Sequence, residues 1–195
     1  MYDVHYFLSS ERVAEQLTLV EADNFRAVDS SEFVISSMYD TFDREKVPNF
    51  AKAVDHFNNL SYWTQGIILS QTKDSQDLRE KIIWKVNSLF PPIYQTKSVQ
   101  LLNVLHHLQR LKNYNSYFAL VSGVSSYAVT RLNWSKSIFT ERIKDCQALT
   151  DLDKNFMKYR EELRIASPPC LPYIGLIKQD LYQVNAQYDD RMYTI

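Results

Sequence analysis

His106 and His107, Cys146, the run Ser122-Gly123-Val124-Ser125 and three acidic pairs are the residues most open to a chemical reading. Adjacent histidines on a helix point about 100° apart, so they cannot share one metal ion. Cys146 falls on an apolar helical stripe, and a reactive thiol needs a basic neighbourhood that the sequence does not reveal. The serine–glycine run is superficially like a nucleophile elbow. It lacks the G-x-S-x-G pattern, and no strand precedes it. Asp43/Glu45, Glu161/Glu162 and Asp189/Asp190 read as solvated faces. Gly66, Gly123 and Gly175 are the only 3 glycines, too far apart to cradle a phosphate, which excludes a P-loop or a dinucleotide fingerprint. Cys146 and Cys170 have no CxxC spacing, so neither a disulfide framework nor a zinc site has support. No catalytic side chain, metal or cofactor is expected.

The elements that position these residues belong to one domain. The 195 residues are 45% hydrophobic and 23% charged, enough for a sizeable core. The net charge of −1 provides no bulk attraction to nucleic acid or acidic lipid. The 13 tyrosines and 10 phenylalanines are not interleaved with basic residues as a base-stacking platform requires. No apolar run approaches the roughly 20 residues that span a bilayer, and the opening MYDVHYFLSS is not a secretory signal. A cytoplasmic, reducing setting without direct membrane insertion is expected.

Helical periodicity runs nearly throughout. Val13, Leu17 and Val20 share a stripe behind the candidate caps Ser9 and Ser10. Asp29 and Glu32 have capping-box spacing. Pro48 opens a segment with Ala53, Phe57, Leu60 and Ile67 on one face, and Leu78, Ile82, Val86 and Leu89 form the next stripe. Then follow Leu101, Leu105 and Leu108; Tyr117, Leu120, Val121 and Val124; Ile143, Cys146 and Leu149; and Phe156, Tyr159 and Leu163. The prolines of Ser167-Pro168-Pro169-Cys170-Leu171-Pro172 exclude helix there. The pattern predicts an all-α domain of seven to nine helices around one core.

Four collinear segments over residues 9–182 resemble the Cdc25 homology domain of Ras-family guanine-nucleotide exchange factors. The first is Val13 to Glu21 (VAEQLTLVE) with Phe25-Arg26-Ala27-Val28 and Ser31-Glu32-Phe33-Val34. The second is Pro48-Asn49-Phe50 with His56 to Trp63 (HFNNLSYW). The third is Leu111 to Ser116 (LKNYNS), continuing through Val121-Ser122-Gly123 to Arg131-Leu132. The fourth is Tyr159-Arg160-Glu161 with Ser167 to Gly175. Many of these residues read as structural: Leu17, Leu19, Phe57, Trp63 and Leu132 as core, Asn113 and Asn115 as tying a loop between two helices by side-chain to backbone bonds.

The resemblance implies a domain without covalent chemistry that binds a Ras-, Rap- or Ral-type small GTPase. It would grip switch 2 and favour the nucleotide-free state; the alternative is a catalytically silent scaffold of the same fold. Carried over position by position, the GTPase-binding residues would be Asp55, Phe118, Ser125, Phe156 and Tyr182. Asp55 stands where the family carries arginine, and Ala186 where it carries an acid at the base of a helical hairpin. The resemblance also implies that most of this hairpin and the closing helix are lacking, that 86–100 is an atypical insertion, and that 183–195 is a divergent tail.

Overall fold

The structure is a computed structural model that describes residues 9–38, 42–69, 101–131, 138–152 and 154–192, with backbone alone at 138–142 and 188–192. Among these residues there are nine α-helical segments and no strand. They are α1 (Ser10–Ala27), α2 (Ser30–Ser37), α3 (Pro48–Leu69), α4 (Leu101–Arg110), α5 (Tyr114–Val124), the single turn α6 (Tyr127–Thr130), α7 (Ile138–Gln147), α8 (Met157–Ile165) and α9 (Ile174–Met192). None of the described helices is long and apolar enough to cross a membrane. The stripe at 78–89 and the insertion at 86–100 lie outside the described residues, as does Leu132.

The helix boundaries follow local chemistry. Ser9 caps α1, its Oγ accepting from Arg12 N–H at 3.2 Å. Asp29 caps α2 by accepting from Ser31 N–H at 2.8 Å. Pro48 begins α3, where its missing N–H costs nothing. The close of α4 uses no glycine. Lys112 takes the left-handed conformation (φ 55°), and Asn113 N–H reaches back to Leu108 C=O at 2.9 Å, a Schellman closure. Asn113 then caps α5, with Oδ1 accepting from Ser116 N–H at 3.0 Å.

The most extensive helix pairing is α3 against α5. Gly123 permits it, because a Cβ there would lie 2.6 Å from Ser61 O and 2.7 Å from Thr64 Cβ. The serine–glycine run is thus a close backbone approach. Helix α5 is buried along almost its whole length and forms the centre of the main core with Leu101, Leu105, Leu108, Leu149 and Tyr159. A second apolar cluster joins Val28, Val47, Phe50, Ala53 and Ile174, with Phe33 and Phe42 edge-on to Phe50.

Three sequence expectations change. Leu19 is 60% exposed, and Val20 and Trp63 also face outward. On α1 the buried positions are instead Ala14, Glu21 and Asn24, because α1 turns polar groups toward α3 and α5. Phe156 does not share a helical stripe with Tyr159 and Leu163; it precedes α8 in a left-handed turn.

Candidate functional site

Two groups of side chains, one polar and one aromatic, are assembled from distant parts of the chain. The polar group centres on Glu21, which is 1% exposed. Its carboxylate accepts from Asn115 Nδ2 at 2.9 Å and Ser116 Oγ at 3.1 Å, and lies 3.6 Å from His56 Nε2. Asn115 Oδ1 in turn accepts from Ile174 N–H at 3.1 Å, at the start of α9. Beside it, Asn113 Nδ2 donates to Thr18 Oγ1 at 3.1 Å. The segment after α8 is tied in through Tyr114 N–H to Leu171 C=O and Leu171 N–H to Lys112 C=O, both 2.9 Å. Burial pushes the Glu21 pKa up, and the hydrogen bonds from Asn115 and Ser116 and the nearby His56 offset that only in part. Each of the four sequence motifs contributes a residue to this knot or its margin.

Glu32 behaves differently. Its carboxylate reaches α3 and accepts from Phe50 N–H and Asn49 Nδ2, both at 2.8 Å. Burial alone would raise its pKa, but these bonds outweigh it and hold the group below the usual glutamate value.

The aromatic group contains Phe118, Phe156, Tyr159, Tyr173 and Phe57. Phe118 stacks on Tyr173 with centroids 4.5 Å apart, meets Tyr159 edge-on at 5.0 Å and lies 5.8 Å from Phe156. Phe118 and Phe156 are 5% and 6% exposed, so both rings are turned inward as packing. Only Phe57 and Tyr173 of the five are half-buried and reach toward the surface. Neither is among the five residues that the resemblance carries over: Phe57 is expected as core filler, and Tyr173 lies within the fourth motif. Tyr159 OH accepts from Tyr173 N–H at 2.8 Å, and burial pushes its own pKa up to about 12, so it stays neutral.

The remaining candidates are spread around this cluster. Ser125, at the end of α5, is exposed, and its Oγ accepts from Gln147 Nε2 at 2.8 Å. It lines an open hollow of about 510 Å³ together with Lys144, Gln147, Thr150, Asp151 and Leu152. Asp55 pairs with Arg44 across the turn before α3, so its charge is answered inside the chain. Tyr182 is 43% exposed on α9, and Ala186, one turn on, is also exposed. Helix α9 is continuous across 182–183, and Asn185 Nδ2 donates to Ser37 Oγ on α2 at 3.0 Å.

A family profile described as the RasGEF domain matches residues 12–194. The chain is a RasGEF-domain protein. It is 37% identical over 183 residues to guanine nucleotide-releasing factor 2 of Drosophila melanogaster, covering 94% of this chain and 10% of that protein. To human Rap guanine nucleotide exchange factor 1 it is 35% identical over 185 residues, covering 95% and 15%. To Ras guanine nucleotide exchange factor A of Dictyostelium discoideum it is 27% identical over 180 residues, covering 90% and 27%. The chain therefore spans only 10% to 27% of the length of these curated relatives. In this RasGEF chain a residue from each motif reaches the Glu21 knot or its margin, and the aromatic cluster is built from α3, α5, α8 and the residues just before α8 and α9.

Proposed function

We propose that this RasGEF chain is the exchange module for a Ras- or Rap-type small GTPase, accelerating GDP release by binding switch 2 and favouring the nucleotide-free state. The supporting observation is the family match over 12–194, joined with two relatives named as a nucleotide-releasing factor and a Rap exchange factor. A binder that prefers the empty GTPase must weaken GDP binding by the same factor, because linkage is reciprocal. In this reading Phe118 and Phe156 act from beneath, fixing Tyr173 and Phe57. Asp55, Ser125 and Tyr182 supply the polar and outlying contacts.

A second reading, a silent scaffold of the same fold, is favoured by one specific feature. Ala186 offers no carboxylate at the position where the resembled family carries an acid. Release of fluorescent mant-GDP from Ras, Rap and Ral proteins separates the two. Acceleration by catalytic amounts of this chain establishes exchange; stoichiometric binding without acceleration establishes the scaffold. We expect acceleration to be weak and Ala186→Glu to increase it. No acceleration from any of the three GTPases, with or without that substitution, would remove the exchange reading.

A further inference from the structure

Phe156 sits at φ 56°, ψ 33°, and Asn155 before it at φ 48°. Asparagine tolerates that region, but a bulky aromatic there is a backbone outlier that persists only when its surroundings over-determine it. The constraints are on both sides of the turn. Asn155 N–H donates to Leu152 C=O at 2.9 Å and Phe156 N–H to Asp151 C=O at 3.0 Å. The buried Phe156 ring lies against Phe118 and Tyr173. From outside, Arg160 Nε donates to Asn155 C=O at 3.0 Å, with a longer 3.5 Å contact from Nη2 to Asn155 Oδ1.

The same guanidinium has a second task. Nη1 and Nη2 fork onto the Asp180 carboxylate of α9 at 2.8 and 2.6 Å. One planar group therefore ties the left-handed turn to α9, two residues before Tyr182. Both partners are more than a third exposed, at 37% and 42%, so solvent screens the pair and its contribution to stability is small. An arrangement this specific with so little energetic weight fits positioning better than it fits stabilisation. Lysine cannot replace it, since an ammonium lacks the planar fork.

We propose that Arg160 is a positioning residue, coupling the Asn155–Phe156 turn at the base of the aromatic cluster to Asp180 on α9. Occupation of the cluster and the placement of α9 are then linked through one side chain. The kinetic part of this inference rests on the exchange reading; the coupling itself does not.

The experiment follows two readouts in the full chain. Amide hydrogen exchange at Asn155 and Phe156 is compared between the native chain and Asp180→Asn, whose substitution lies on another helix. Both amides should exchange about fivefold or more faster, the lower end of ordinary coupling between sites, while the amides of α5 are unchanged. Glu15→Gln, which breaks the surface pair with Arg12, should leave them as they were. In mant-GDP release, Arg160→Lys and Asp180→Asn should each lower kcat about five- to tenfold with KM for the GTPase nearly constant. The double variant should be no worse than either single one. Unchanged exchange at Asn155 and Phe156 in Asp180→Asn overturns the coupling, whatever the kinetics. Faster exchange throughout the chain overturns it too, because that is general destabilisation. If the amides respond but the native chain accelerates no GTPase, the coupling stands and the exchange reading falls.

Discussion

Two carboxylates in this chain each gather several donors, and they could hardly differ more in consequence. Glu21 is sealed between α1, α3 and α5, whereas Asp180 meets Arg160 between α8 and α9 with both side chains more than a third exposed. The geometry at Asp180 is the better one, a two-point fork at 2.6–2.8 Å. Yet the weight lies with Glu21, since removing a buried partner strands the groups facing it, and removing an exposed one lets water in. Burial, more than hydrogen-bond geometry, decides what a polar contact is worth.

The sharpest way to break that contrast is Glu21→Ala. It leaves Asn115 Nδ2 and Ser116 Oγ without their acceptor, and a loss of about 1–3 kcal/mol for each stranded donor is expected, measured by urea unfolding. A loss under about 1 kcal/mol, the range of exposed pairs, would mean that water enters the knot freely. Gly123→Ala comes next. The added methyl meets the α3 backbone and a β-branched side chain, so about 1–3 kcal/mol is expected from overpacking. Asn113→Ala removes the α5 cap and a donor to Thr18, with an expected loss of about 1–2 kcal/mol. Asp180→Asn should cost less than about 1 kcal/mol, despite breaking the best-formed ion pair described.

Proton linkage gives the same comparison a sign. The folded-state pKa of Glu21 is raised above the ordinary 4.5, so the folded chain holds its proton where the unfolded chain has lost it. Its contribution to stability therefore falls as pH rises from about 4.5 through the folded value, and is constant above that. Glu32 is lowered, so its contribution is present above 4.5 and disappears as pH falls through the folded value. Chemical denaturation of Glu21→Gln and Glu32→Gln across this range should show opposite pH slopes relative to the native chain. Slopes of the same sign would contradict the assigned causes.

Much of the fold was legible from local chemistry. The helical periods of Leu101, Leu105 and Leu108, and of Tyr117, Leu120, Val121 and Val124, are buried as the spacing predicts. Ser9, Asp29 and Pro48 mark helix starts because their side chains act on their own neighbours. The four motifs placed the chain in its family, and the match over 12–194 agrees. Less of the candidate site was legible. Phe118 and Phe156, which the resemblance implies as contact residues, are 5% and 6% exposed, while Phe57 and Tyr173 beside them are partly buried. Glu21 and Glu32 had no signature of burial, since a carboxylate reads the same in sequence whether it faces water or an asparagine from 94 residues away.

The sequence by itself determined an all-helical chain, several of its helix starts and its family, because period, cap and motif are all properties of neighbouring residues. The tertiary structure alone decided which charges are buried, which aromatic rings face inward and which arginine spans two helices. Those outcomes depend on what packs against a residue from far along the chain, and solvent exclusion has no period to read.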